Sequence, residues 1–184
     1  MLDKRGNSNC GERIDLVNRY INLFGNDTIE CLVTDREFVG HEWLKYLNYE
    51  QIRYYIRIRN NFKIFLPHKN ETIKVSWLFH SYKINEFVFY RKIVRINDQL
   101  CYLSGSKLHK GEYLILVSFN KPEKADFYYK QRWQIEMSFK AMKSSGFDIE
   151  KTHLQDTARI RKLLLMVMIA FVWFYKVGIH LHNN

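Results

Sequence analysis

Apolar residues recur at helical spacing early in the chain, at Ile14, Val17, Tyr20, Ile21 and Phe24, which predicts a helix over 10–24. Asn9 and Glu12 form a capping-box pattern at its start, and Gly25 supplies a stop. The period then changes. The run IECLVTD at 29–35 reads as a short buried strand with Asp35 at its C-terminal end; open α/β sheets place their ligands at such ends. A short helix follows over 41–47. Across 53–59 the side chains alternate: Tyr54, Ile56 and Ile58 point one way, and Arg53, Tyr55, Arg57 and Arg59 the other. This is a strand with a basic face. From 62 to 119 short β-rich runs cover 62–66, 73–79, 86–95, 99–103 and 113–118, with turn signals at 68–71, 97–98 and 105–111. The pattern predicts an antiparallel β subdomain inserted between two parts of an α/β core. A long helix over 123–145 and a second over 156–178 complete the order.

The run LLLMVMIAFVWFY at 163–175 has thirteen apolar residues flanked by Lys162 and Lys176. It is shorter than the ~20 residues that span a bilayer, so a core helix is expected and no membrane partner. With 184 residues, 47% of them hydrophobic, the chain is long and apolar enough for one folded domain over 1–184, and disorder is excluded. The charge changes the picture more. Lys and Arg number 29 against 19 acidic residues, a net charge of +10, which favours a polyanion such as nucleic acid. The cations are spread through the folded segments, from Arg53 and Lys63 through Arg91, Lys92 and Arg95 to Lys140 and Arg161. Cys10, Cys31 and Cys101 are odd in number and form no CxxC pair, which argues against a disulfide framework and a zinc ribbon. A bacterial cytoplasm is the expected location.

Candidate chemistry concentrates in YYKQRWQIEMSFKAMKSSGF. Tyr129, Arg132, Glu136 and Lys143 are offset by 3, 7 and 14 positions. At about 100° per residue these side chains fall on one helical stripe about 60° wide. Glu and Lys on such a stripe suit a solvated surface. A phenol, a guanidinium and an ammonium in register around one carboxylate also suit a phosphate beside a carboxylate-bound metal. No P-loop stands at GSK 105–107, no GxSxG or Cys–His nucleophile pattern occurs, and His180 and His182 near the end make no metal motif.

The spacing Y-x2-R-x3-E-x6-K resembles the signature of DDE-type transposases of the insertion-sequence-four group. Trp133, Phe139, Gly146 and Glu150 followed by Thr152 look like the same group, although Trp133 and Phe139 by themselves read as core residues. LVTDREFVGHEWLKYL at 32–47 resembles the segment holding the group's second catalytic aspartate, and the basic strand RYYIRIRNNF at 53–62 fits as well. The resemblance implies a ribonuclease-H-like fold, with the β-rich stretch 62–119 inserted between Asp35 and Glu136, which are 101 positions apart. It implies Asp35 and Glu136 as catalytic ligands of two magnesium ions. Tyr129, Arg132, Lys143, Arg57 and Arg59 would hold DNA phosphates. Arg36 and Glu37 flank Asp35, where they would orient it, contact DNA or pair with each other.

The family's first aspartate, expected on the first core strand, is not matched. Asp3 lies in a polar, turn-like stretch, Asp15 on a helix and Asp27 in a loop. The expected fold is therefore an incomplete ribonuclease-H-like core without its first strands, a truncated transposase domain with weakened metal binding. The expected partners are transposon ends and target DNA, with a homodimer in the DNA complex. Three other readings compete: a non-catalytic DNA-binding remnant or inhibitor of full-length transposase, a nuclease using Asp3, and a pseudogene product that does not fold.

Overall fold

The computed structural model describes residues 8–144 and 152–182. Asp3, Gly146 and Glu150 lie outside the described residues. The described residues divide into two compact bodies, 8–132 in one and those from Trp133 onward in the other.

The first body is mixed α/β. Helix α1 (Cys10–Phe24) starts at the expected capping box: Asn9 Oδ1 accepts from Glu12 N, and Glu12 Oε2 accepts from Asn9 N. It stops at Gly25, whose φ of 87° is one that side chains disfavour. Strand β1 (Leu32–Thr34) is shorter than expected, because the backbone at Ile29 still closes a 3-10 turn onto Asn26 O. Helix α2 (His41–Tyr49) crosses over to β2 (Tyr54–Ile58), which pairs with β1 in parallel. A parallel pair needs such a crossover.

Strands β3 (Lys63–Leu66), β4 (Glu71–Lys74), β5 (Phe87–Ile96), β6 (Gln99–Lys107) and β7 (Tyr113–Ser118) follow. All seven strands form one sheet in the order β1-β2-β7-β6-β5-β3-β4, and every pair after β1–β2 is antiparallel. The strands from 62–119 thus pair directly onto β2 through β7. Asn97 and Asp98 join β5 to β6 with positive φ at both positions, the two-residue turn whose twist matches a hairpin.

Two expectations in this stretch are corrected. The strand expected over 73–79 ends at Lys74 and continues as a 3-10 turn (Val75–Phe79). Val75 and Phe79 are buried while Trp77 between them is 66% exposed; a strand would put all three on one face. Gly105, expected in a turn, sits inside β6, where an added Cβ would meet Leu114 O at 2.7 Å.

The alternation of β2 divides the core. Tyr54, Ile56 and Ile58 join Leu103, Val117, Leu44 and Leu47 in a large cluster, onto which Ile14, Val17 and Ile21 of α1 also pack. On the opposite face, Tyr55 and Leu116 pack against Ala125, Tyr128 and Tyr129 of α3 (Ala125–Gln131).

The long helix expected over 123–145 is divided into α3 and α4 (Trp133–Ser144). Arg132 caps α3, its N–H donating to Tyr129 O at 3.0 Å, an i→i−3 closure that tightens the last turn. The second body holds α4 and α5 (Thr157–His182). Asp156 starts α5 by accepting from Arg159 N at 2.8 Å. Residues Thr157–Leu181 are long and apolar enough to cross a membrane by length and composition alone. The core-helix expectation for 163–175 is not met: Val167 is buried, whereas Leu165, Met166, Ile169, Trp173 and Phe174 are exposed. One neighbouring helix, α4, cannot cover a helix that is apolar on every side. Trp133 and Phe139, also expected in a core, are 61% and 51% exposed.

Candidate functional site

Asp35 follows directly on β1 and caps the 3-10 turn Arg36–Phe38, its Oδ1 accepting from Arg36 N at 2.8 Å. Its Oδ2 accepts no hydrogen bond among the described residues. Arg36 therefore orients Asp35 through its backbone, and Glu37 O accepts from the Arg13 guanidinium at 2.9 Å. Arg57 lies on the face of β2 that also carries Tyr55, half-buried rather than fully solvated. The basic face expected for this strand is thus partly covered by α3. Arg59 lies just past the strand and is exposed.

Helix α3 brings Tyr129 to this corner, buried against Tyr55 and Leu116. The Arg132 guanidinium lies over the Tyr129 ring, 5.6 Å from its centroid. Burial pushes the Tyr129 phenol above its ordinary pKa; nearby Asp35 pushes the same way, while Arg132 and Arg57 oppose it. The phenol is therefore protonated at neutral pH and able to donate. Arg57 is close enough to act on the Tyr129 oxygen but falls short of full hydrogen-bond geometry. Tyr129 Oη and Arg57 Nε are both buried without a partner among the described residues. A buried orphan of this kind costs about 1–3 kcal/mol, and such groups call for a ligand or a functional account. Two guanidinium charges against one carboxylate leave the corner positive, which suits a phosphate.

The structure thus brings together Asp35, Arg57, Tyr129 and Arg132. Glu136, half-buried, and Lys143, exposed, both lie on α4 in the second body. Among the described residues no group of three or more His, Cys, Asp or Glu side chains is arranged to hold a metal ion. Asp35 fits as one ligand of a hard cation, since it offers a carboxylate oxygen that no donor occupies.

Three positioning residues were not legible as such in the sequence. Tyr55 and Tyr128 stack with ring centroids 5.3 Å apart. The Tyr55 hydroxyl donates to Lys121 O at 3.1 Å, and the Tyr128 hydroxyl donates to Glu30. These contacts tie α3 to β2 and to the segment before β1, fixing where Tyr129 stands. The doubled tyrosines at 54–55 and 128–129 were the available signal, but pairing between them depends on sheet register.

Residues 12–173 match a family profile described as a transposase DDE domain. No curated protein sequence matches the chain. The matched segment takes in the corner built by Asp35, Arg57, Tyr129 and Arg132, and Glu136 and Lys143 as well. Its members act on DNA and generally use divalent metal ions. With most of its length matched and a positive, carboxylate-bearing corner at the end of a parallel strand, this chain belongs to the transposase DDE domain family.

Proposed function

We propose that this chain is a transposase catalytic domain of the insertion-sequence-four group, with a ribonuclease-H-like core, in which Asp35 and Glu136 are the magnesium-binding carboxylates. The convergence of Asp35, Arg57, Tyr129 and Arg132 at one corner carries the reading. A bound divalent ion would supply activation of water and stabilisation of the leaving oxygen. The protein's own groups hold the DNA. The Tyr129 phenol donates to a phosphate oxygen and keeps its proton at neutral pH. Arg57 and Arg132 present guanidinium forks to the same phosphate or its neighbour. Arg59 and Lys143 contact flanking phosphates. Asp35, held by Arg36 N, keeps one oxygen for the cation.

Within this reading Asp35 and Glu136 are two of the three carboxylates that the family's chemistry uses, and the chain by itself binds DNA without transferring strands. Two measurements test this. Duplex binding is followed by fluorescence anisotropy for the intact chain and for R57A/R132A. Loss of two charged contacts at about 1.5–3 kcal/mol each predicts binding weakened by at least about a hundredfold, and unchanged affinity would overturn the phosphate site. Incubation of the purified chain with DNA and magnesium should give no cut product. Magnesium-dependent cutting that disappears in D35N would show that the third carboxylate is present after all.

A further inference from the structure

A second cationic surface lies on the sheet away from the corner just described. In β5 the pairing with β6 skips from Tyr90–Leu103 to Val94–Cys101, so Arg91, Lys92 and Ile93 stand opposite the single residue Tyr102. This bulge pushes two cations outward. Together with Pro67, His68, Leu100 and Tyr102 it lines an open cavity of about 500 Å³. Its floor is apolar and open: Leu100 is 54% and Ile93 42% exposed.

The register shows which face this is. Tyr102 pairs with Ser118, and Ser118 with Tyr55, so Tyr102 shares the face of Tyr55 and Arg57. Leu100 pairs with Arg95, and Arg95 with Phe65, which extends that face to β3. The Arg95 guanidinium lies 5.2 Å from the Phe65 ring centroid. Two residues before Phe65, on the same face, Lys63 is paired directly opposite Lys74 of β4. Both lysines are exposed. Like charges directly opposite across strands destabilise a sheet, so folding gives no reason for that pair. Lys69 adds a further cation but is neutralised by Glu71 at 3.5 Å. Lys92 and Lys69 both lie near enough to His68, after desolvation the next causes, to hold its pKa below the ordinary value, against the opposing charge of Glu71. The His68 ring is fixed by Tyr90 Oη, 3.1 Å from its Nε2.

We propose that Lys63, Lys74, Arg91, Lys92 and Arg95 form a second DNA-backbone surface, separate from the Asp35 corner but on the same face of the sheet. The inference rests on DNA being the partner. From Arg57 on β2 to Arg95 on β5 is three strand steps across the sheet and four residues along β6, from Ser104 to Leu100, roughly 14 Å by 13 Å, or about 19 Å in all. A duplex carries a phosphate every ~3.4 Å along each strand, so one duplex laid across the face meets both sites. The bulge lifts Arg91 and Lys92 to the height of such a duplex, and the apolar floor accepts sugar edges beneath it.

The test is the salt dependence of duplex binding by the full chain. The probe is a fluorescent random-sequence duplex oligonucleotide without magnesium. Each lost phosphate contact lowers the slope of log K against log salt by ~0.9. R91S/K92S/R95S should lower the slope by about 2–3 relative to the unaltered chain, and R91K/R95K should retain it. Both variants are checked for an unchanged thermal transition, so that loss of fold is not read as loss of contact. An unchanged slope in the folded triple variant overturns the second surface while leaving the corner site standing. A lowered slope in R57A/R132A with no change in the triple variant overturns it equally. If the unaltered chain does not bind the duplex at all, the DNA reading fails and the second surface fails with it.

Discussion

The two bodies of this chain solve the burial problem to different degrees. The body up to Arg132 has a seven-stranded sheet with helices on both faces, so Tyr54, Ile56 and Leu103 lose all contact with solvent. The body from Trp133 has two described helices, and most of the apolar circumference of α5 stays exposed. The difference is one of layers: the sheet buries one whole face and, at Tyr55 and Leu116, part of the other, whereas a pair of helices can cover only one stripe of each. The Asp35 corner belongs to the well-buried body, which explains how it can hold two orphaned polar groups at a cost that a thin core could not offset.

The largest expected effect separates the bodies directly. Leu103→Ala should destabilise the chain by about 3–4 kcal/mol, as large-to-small changes in closed cores do. Trp173→Ala should cost under about 0.5 kcal/mol, as surface changes do. Urea unfolding followed by circular dichroism gives both values, and similar costs would mean that α5 is covered in solution.

Alkaline pH should act next, again on the first body alone. Burial raises the Cys101 thiol from 9.0 to about 11, and the Tyr54 hydroxyl hydrogen-bonded to it is also raised, chiefly by burial. Both groups keep their protons in the folded state where the unfolded chain has lost them. Their contribution is therefore complete below pH 9 and is lost as pH rises toward 11, on the order of 2–3 kcal/mol for the thiol. Melting temperatures across pH 8–11 should fall, and Cys101→Ala should flatten part of that slope. An equally steep fall in the variant would move the cause elsewhere.

The smallest effect on folding comes from the site itself. Tyr129→Phe removes a buried hydroxyl that has no partner among the described residues, so stability should hold or rise by up to about 1 kcal/mol. Duplex affinity should fall about tenfold in the same variant. A stability loss without an affinity change would assign the hydroxyl to the fold rather than to DNA.

Sequence periodicity identified α1 to its caps and β7 to its ends, because a single local pattern governed each. It misjudged 73–79, where Trp77 turns outward between buried Val75 and Phe79 inside a β-rich stretch. It joined α3 to α4, because no glycine or proline marks Arg132 and helix propensity runs through it. The site residues Asp35, Arg57, Tyr129 and Arg132 were nameable from their motif context. The Tyr55–Tyr128 stack and the Glu30 contact were not, since they join segments far apart in the chain.

The bulge at Arg91–Ile93 shows the same divide. Its residues look like ordinary strand sequence, and only the skipped pairing with Tyr102 reveals that two cations leave the ladder. By itself the sequence determined the element types, the basic character and the family, because propensity, charge and motif spacing are properties of neighbours along the chain. Tertiary structure alone decided which face each cation occupies and which tyrosines hold α3. Sheet register and side-chain packing depend on contacts between distant segments, whereas the closure at Arg132 is a local i→i−3 bond that no glycine or proline announces.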